Sequence, residues 1–369
     1  MQPVIHRMTF FVDKWLHDRV APRSLGPVSH PSRRRDTMAV VASVASGGPV
    51  SIVRLREAGL TVGQIRAAVH GGELLALRRD IVIAGDIWTS ATSDGRVLLA
   101  SRAALLVHPQ GAISHGTAAR LLGLPTQRVE PEVDAAGIPI IDITRPGHRR
   151  RTDWLQAYAG ELADDDLSTS GKIRRTSLLR TAIDVARTSS FPFAVATMDA
   201  AHRSLAIGIA QRREPWADER AAASDVAAGV EAARRMRLAL DAQVSCHGMS
   251  RAVRAAAWAD PGSETLLESL SRVRIRRARL PTPECGQLVR GASGREYWVD
   301  KLWRAQRVIG EDDGLVKYVT RDDLIKEKLR QEDLENAGHR FVRCGWRDVN
   351  DHPGPWLARL RRALAAGQR

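Results

Sequence analysis

Residues 296–314 read EYWVDKLWRAQRVIGEDDG, and the fold of the C-terminal part of the chain turns on them. Two runs rich in apolar and aromatic residues, Glu296 to Trp303 and Arg307 to Glu311, flank a short polar turn and predict two strands of a hairpin. Side chains alternate along a strand, so Glu311 and Asp313 face one side if the strand persists that far. The hairpin brings Asp300 beside them. Carboxylates gathered this closely repel one another unless a cation holds them. Oxygen donors with open positions suit Mg2+ or Mn2+. Such an ion polarises a phosphate and generates an attacking hydroxide. The candidate metal ligands are therefore Asp300, Glu311 and Asp313, with Lys317 just beyond them as a charge stabiliser. A plainer reading competes: Asp312-Asp313-Gly314 is also an ordinary acidic turn, and Asp300 alternates with apolar neighbours as any exposed strand residue would.

Working outward, Pro261-Gly262-Ser263 introduces a helix from Glu264 to about Ile275, with Ser263 as its candidate N-cap and Glu264 and Glu268 one turn apart on one face. A strand from Glu284 to Val289 precedes the hairpin, with Ser293-Gly294 at the turn. Thr320 is placed to cap a following helix, with Asp323 reaching back and Leu324, Ile325, Leu329 and Leu334 along it to Gly338. A strand from Arg340 to Cys344 and a helix around Trp356 to Ala365 complete the unit. The order predicts an α/β sandwich around a small mixed sheet.

These residues carry a resemblance. Glu264 and Glu268, Val299-Asp300, Gly310-Glu311-Asp312-Asp313-Gly314 with Lys317-Tyr318, Arg330-Gln331, and Phe341-Val342-Arg343 with Trp346 together resemble the PD-(D/E)XK nuclease superfamily, in its very-short-patch-repair (Vsr) endonuclease-like branch, over roughly residues 258–366. The resemblance implies a restriction-endonuclease-like fold and Mg2+- or Mn2+-dependent cleavage of DNA. Asp300 and Glu311 would be direct ligands, Asp313 a ligand or water-orienting group, Glu264 or Glu268 a support and Lys317 a charge stabiliser. The sequence departs from the pattern at two places. Asp313 stands where a lysine is usual, and Lys301 follows Asp300 where an apolar residue is more usual, so that it either disturbs packing or contacts DNA.

Residues 46–88 form a second readable block. Ser51 to Ala58 is amphipathic, with Ile52, Leu55 and Ala58 on one face, and Gly59 ends it. Thr61-Val62-Gly63-Gln64 has the form of a capping box. The helix it opens runs through Ile65, Ala68 and Val69 to Gly71-Gly72, a natural stop. Leu74 to Leu77 and Ile81 to Ile83 then read as strands, with Arg78-Arg79-Asp80 at the bend. Two helices, a tight turn and a basic-tipped hairpin describe a winged helix-turn-helix whose second helix enters a major groove. Gln64, Arg66 and His70 would face base edges, and Arg78 and Arg79 in the wing would meet phosphate. A helical subdomain used for protein contacts is the alternative.

The run Gly47-Gly48-Pro49-Val50 through Gly85, the segment Ile113-Ser114-His115-Gly116-Thr117-Ala118-Ala119-Arg120-Leu121-Leu122-Gly123-Leu124-Pro125 and Arg180-Thr181-Ala182-Ile183-Asp184 resemble AbiEi-type antitoxins of type IV toxin–antitoxin systems, over roughly residues 46–205. That resemblance implies an autoregulating DNA-binding module, with its own operator DNA or a toxin as partner.

The middle of the chain is mixed. Arg96 to Val107 and Ser114 to Leu122 read as helices, the latter with Ser114 as N-cap, and Val133 to Thr144 as strands. Arg180 and Asp184 are spaced to pair on a helix. His115, with no carboxylate or cysteine partner in sequence, reads as structural. His148-Arg149-Arg150-Arg151 is either a phosphate contact or a solvated loop. Residues 216–250 are Ala- and Arg-rich helix with polar breaks.

Near the start, Phe10, Phe11, Val12, Trp15 and Leu16 precede Pro- and Ser-containing coil and the basic run Arg33-Arg34-Arg35. This is a basic arm, or translation begins at Met38; the second reading is preferred. No signal-peptide order is present. The 56 Lys+Arg against 42 Asp+Glu give a formal charge of +14 and a pI near 10.7. That excess favours polyanions through counterion release, although an Arg-rich proteome gives the same bias. Cys246, Cys285 and Cys344 form no CxxC pair, which argues against a zinc site or disulfide framework and fits a reducing, cytoplasmic setting.

The expected organisation is an α/β multidomain protein. It has a flexible basic segment (1–45), a winged helix-turn-helix (46–88), an AbiEi-like α/β middle region (89–257) and a Vsr-like nuclease-fold domain (258–369). The function expected is DNA binding with Mg2+-dependent endonuclease activity. The alternative is a non-catalytic, antitoxin-like transcriptional regulator.

Overall fold

The computed structural model describes residues 31–128, 130–243, 246–313 and 321–367. Among the described residues the protein is mixed α/β, with three sheets of three, four and six strands. It divides into two compact units, one of residues 1–123 and 128–177, the other of residues 124–127 and 178–369. Among the described residues no helix is long and apolar enough to cross a membrane.

The first unit opens with α1 (Pro31–Ala45), a helix where a flexible segment is expected through residue 45. Val41 and Ala45, one turn apart, are buried with Ile52, Leu55 and Ile65, which explains the difference: the stretch has a core to pack on. β1 (Val50–Ser51), α2 (Ile52–Glu57), α3 (Val62–His70), β2 (Leu74–Arg78) and β3 (Ile81–Ala84) follow. The strands form an antiparallel sheet in the order β1-β3-β2. α3 starts as its sequence predicts. The Thr61 hydroxyl accepts from the Gln64 amide, and the Gln64 side chain accepts from the Thr61 amide at 2.9 Å. After α4 (Gly85–Ser90) and α5 (Ser93–Val107) comes a six-stranded mixed sheet. It is built from β4 (Ala112–Ile113), β5 (Ile141–Arg145), β6 (Arg150–Arg151), β7 (Leu155–Ala159), β8 (Leu167–Ser170) and β9 (Ile173–Thr176), with α6 (His115–Leu121) between its first two strands.

The segment around α6 is tied to β5. The Asp142 amide donates to the Thr117 hydroxyl at 2.9 Å, and the Asp142 carboxylate accepts from the Thr117 amide at 3.1 Å. Ser114 flanks the helix but does not cap it with its side chain; its hydroxyl instead accepts from Thr144 at 2.9 Å. His115 is buried in the left-handed region at φ 48°, its ring stacked on Tyr158 at 3.4 Å. Its position fits a packing role.

Burial lifts the Asp142 carboxyl from 3.8 to about 6, against the pull of the Thr117 hydrogen bonds. A carboxyl with a raised folded-state pKa binds its proton more tightly when folded, so its contribution to stability grows as pH falls through 6. Between about pH 7 and about pH 5, wild type should therefore gain stability relative to Asp142→Asn. Urea unfolding at several pH values reads this, and a pH-independent difference would contradict it.

The second unit begins with α7 (Leu178–Thr188) and the long α8 (Phe191–Ala210). Arg180 and Asp184 pair at 3.1 Å as their spacing predicts, with Arg187 on the other Asp184 oxygen at 3.0 Å. α9 (Glu219–Ala223), α10 (Val226–Asp241) and α11 (Met249–Ala256) follow, then α12 (Leu266–Arg277). Four strands form the sheet β10 (Glu284–Arg290), β11 (Glu296–Trp303), β12 (Val308–Asp313) and β13 (Arg340–Gly345). The first three run antiparallel, and β13 joins parallel to β12. α13 (Arg321–Asn336), the short α14 (Trp346–Asn350) and α15 (Pro353–Ala366) complete it.

The expected boundary at 257/258 lies inside this unit. Asp199 on α8 accepts from Arg272 on α12 at 2.6 and 2.7 Å, both side chains being buried. Burial alone would lower the pKa of the Arg272 guanidinium, and the charge and hydrogen bond of Asp199 together with the nearby Cys285 and Asp260 more than reverse that. A buried pair left with one partner is costly, so the α7–α11 helices and the C-terminal sheet behave as one packed body.

Candidate functional site

The site is made by two neighbouring strands with different chemistry on their two faces. β11 and β12 pair with Lys301 opposite Gly310 and Leu302 opposite Ile309. Continuing that register by one residue sets Asp300 opposite Glu311. Alternation then places Asp300, Glu311 and Asp313 on one face and Lys301 and Asp312 on the other. Across β13, Glu311 lies opposite Arg343 and Asp312 opposite Cys344.

On the reverse face, the Lys301 ammonium and the Asp312 carboxylate form a buried ion pair. The Cys344 thiol also reaches Asp312, at 3.1 Å, and its burial pushes it up to about 12, so it stays a thiol. Ile275, Trp303, Val342, Trp356 and Leu360 line the small cavity around the pair. Lys301 therefore neither disturbs the core nor reaches nucleic acid; Asp312 matches it.

The acidic face is closed by arginines. Glu311, only 4% exposed, accepts from Arg330 of α13 at 2.9 Å. Arg330 also donates to the Trp298 carbonyl at 2.7 Å and to Glu327 at 3.0 Å. Asp313 accepts from Arg343 at 3.0 Å, and Arg343 spans to Glu327 at 2.6 Å and Gln331 at 3.1 Å. Asp300, half-buried, accepts from the Asp312 amide at 2.8 Å. Burial alone would lower the pKa of both guanidiniums. The acidic neighbours together outweigh it, Glu311 with Glu327 and Asp300 for Arg330 and Glu327 with Asp313 and Glu311 for Arg343, so both end up raised.

The expected acidic helix turn is built differently. α12 starts at Leu266, and its N-cap is Thr265, whose hydroxyl accepts from the Glu268 amide at 3.3 Å. Ser263 does not cap; it accepts from Arg272 at 3.3 Å. Glu264 precedes the helix, and its amide donates to the Glu268 carboxylate at 2.8 Å. Glu268 is thus spent on capping, with Thr265 at 2.8 Å on its other oxygen. Burial raises its pKa, and the Asp300 charge adds to this. Glu264 bonds Arg220 at 2.9 Å and faces Arg203 at 3.7 Å. Glu264, Glu268 and Asp300 share a narrow cleft with Arg203 and Arg220. The loop enters this cleft by close backbone approach. A Cβ on Gly262 would lie 2.3 Å from the Cys285 carbonyl, and Gly286 adopts φ 58°.

These contacts bear on whether Mg2+ or Mn2+ fits. Among the described residues, no three His, Cys, Asp or Glu side chains converge as a metal site. In this arrangement Asp300, Glu311 and Asp313 spend oxygens on a backbone amide and two guanidiniums rather than on a common centre. Lys317, with Gly314, Tyr318 and Thr320, lies outside the described residues.

In the first unit the expected base-reading residues separate. Gln64 turns inward, its amide donating to Thr37 at 3.0 Å while its carbonyl completes the cap. Arg66 is half-buried, and His70 and Arg79 are exposed. Arg78 is buried. It donates to Asp134 at 3.1 Å and to the Pro139 carbonyl at 3.2 Å, and its guanidinium stacks over Trp154 at 4.7 Å. Desolvation lowers it to about 10. Arg78 therefore anchors the β2–β3 bend to the rest of its unit and does not meet phosphate. The carboxylate and indole that claim it lie 56 and 76 residues downstream, beyond any local pattern.

Residues that the sequence does not single out also shape the site. Glu327 is shared by both arginines and Asp312 is paired beneath; the apolar residues that mark α13 in the sequence, Leu324, Ile325 and Leu329, are exposed, so they do not show which way Glu327 faces.

Two proteins of Mycobacterium tuberculosis are similar to the chain: "Uncharacterized protein MT2308" of strain CDC 1551 and "Uncharacterized protein Rv2248" of strain H37Rv. Each is 27% identical over 260 residues, covering 68% of this chain and 79% of its own. No protein-family model matches the chain.

The reverse-face pair gives a clear prediction. Removing one partner, as in Lys301→Met or Asp312→Leu, strands a buried charge and should cost about 3–5 kcal/mol. The double variant fills the same apolar pocket without charge and should recover most of that loss. Equilibrium unfolding of the four proteins reads the cycle; additive single effects would contradict it.

Proposed function

We propose that the protein is a DNA-binding protein. Its residues 46–88 act as a winged helix-turn-helix, and its C-terminal sheet and flanking helices act as a nuclease-like module that does not cut in this arrangement. On this reading it is an antitoxin-like transcriptional regulator that binds its own operator, with a toxin as a second partner. The observation that carries it is α3. This helix is capped by Thr61 and Gln64, packed on a three-stranded sheet through Ile65, Ala68 and Val69, and turns His70 outward. The resemblance to AbiEi-type antitoxins and the formal charge of +14 support the same reading. Arg66 and His70 carry base or backbone contacts, and Arg79 at the bend meets phosphate; Gln64 and Arg78 are structural.

Metal-dependent DNA cleavage is the second reading. The facing of Asp300 and Glu311, with Glu268 beside them, and the PD-(D/E)XK resemblance favour it. The engagement of all three acidic side chains disfavours it.

Band shifts on the DNA upstream of the coding sequence separate these readings from a protein-contact role. Wild type should bind, and Arg66→Ala should weaken binding by about tenfold or more, as loss of a good base or phosphate contact does. Arg79→Ala should lower the salt dependence by about one counterion. Incubation with Mg2+ or Mn2+ should leave duplex, single-stranded and mismatched DNA uncut. Cleavage lost in Asp300→Ala and Glu311→Ala would establish the second reading instead. Absence of any DNA binding would reject the first.

A further inference from the structure

The acidic face raises a question of charge. Glu311, Asp313 and Glu327 gather around Arg330 and Arg343, and like charges so placed need a counter-charge. In a metal-dependent site a divalent ion supplies it, held by oxygens aimed at one point about 2.0–2.1 Å away for Mg2+. Here the oxygens aim elsewhere. Glu311 Oε1 lies 2.9 Å from Arg330 Nη2, and Asp313 Oδ1 lies 3.0 Å from Arg343 Nη1. Glu327 joins the two guanidiniums, at 3.0 Å and 2.6 Å. Gln331 at 3.1 Å from Arg343 and the Trp298 carbonyl at 2.7 Å from Arg330 fix both guanidiniums from outside the acidic set. Charge-assisted bonds of this length are the strong ones. The donors come from α13 and from β13, the strand paired parallel to β12, and each is fixed by further hydrogen bonds, so both guanidiniums are built in.

We propose that Arg330 and Arg343 are the resident counter-cations of the acidic face, and that the wild-type face does not take up a divalent ion while they hold it. A planar guanidinium, permanently charged and anchored at several nitrogens, occupies carboxylate lone pairs that an ion needs. Its removal returns those lone pairs to a face that keeps its carboxylates. The face is then a latent cation site whose closure is specified by two residues. This inference does not depend on the first unit's binding to DNA, and loss of that reading leaves it standing.

The test is Mn2+ binding to the full chain, followed by calorimetry and by the loss of the free-ion paramagnetic resonance signal. Wild type and Glu311→Gln should give the same result, with no one-to-one site. The double variant Arg330→Gln, Arg343→Gln should gain one site, binding at least about tenfold tighter than any residual wild-type affinity, a change of ~1.4 kcal/mol. Adding Glu311→Gln to the double variant should abolish that site. A one-to-one Mn2+ site in wild type that disappears in Glu311→Gln overturns the proposal. So does a folded double variant that gains no site. Should the double variant fail to fold, the comparison of wild type with Glu311→Gln decides alone: equal signals support the proposal, and a site lost in the variant overturns it.

Discussion

The buried ion pair of Lys301 and Asp312 lies directly behind the acidic face, and the geometry of that face depends on it. Each member adjoins a site residue in sequence: Lys301 follows Asp300, and Asp312 sits between Glu311 and Asp313. Cys344, on the same carboxylate, follows Arg343. An interaction across β11, β12 and β13 on the hidden side therefore sets the register of Asp300, Glu311, Asp313 and Arg343 on the exposed side. A one-residue slip would exchange the two faces and bury the wrong charges. An apolar pair would pack the same space with less desolvation cost. What the ionic pair adds is discrimination against a one-residue slip, which would turn both charges to the other face.

The same logic recurs away from the site. Arginine is the partner of several buried or half-buried carboxylates: Arg272 with Asp199, Arg180 and Arg187 with Asp184, Arg78 with Asp134, Arg330 with Glu311. The guanidinium's fork satisfies several acceptors at once, so one residue joins two elements. Many of the arginines are thus architectural, and paired one-to-one with carboxylates they leave the net charge unchanged.

Local signals were legible in the sequence and long-range ones were not. The Thr61–Gln64 box, the strand Glu296–Trp303 and the Arg180–Asp184 pair depend on neighbours within four residues or on strand alternation, and each lies where its pattern puts it. The alternation of Glu311 and Asp313 was equally readable, because β12 persists through Asp313. The misplaced residues share one cause. Gln64 is taken by Thr37, Arg78 by Asp134 and Trp154, and Lys301 by Asp312, partners 27, 56 and 11 residues away. α1 was missed because Val41 and Ala45 reveal their apolar face only against Leu55 and Ile65. Ser263 and Thr265 are both acceptable caps, and Arg272 decides between them by claiming Ser263.

If packing and resident arginines hold the acidic face, its backbone should not respond to divalent ions. Hydrogen–deuterium exchange of the amides in β12 and β13 measures this directly, because a strand stabilised by a bound ligand exchanges more slowly in proportion to that binding. The account predicts slow exchange over Val308–Asp313 and Arg340–Gly345 that is the same in chelator and in millimolar Mg2+. Fast exchange in chelator that becomes slow on addition of Mg2+ would contradict it.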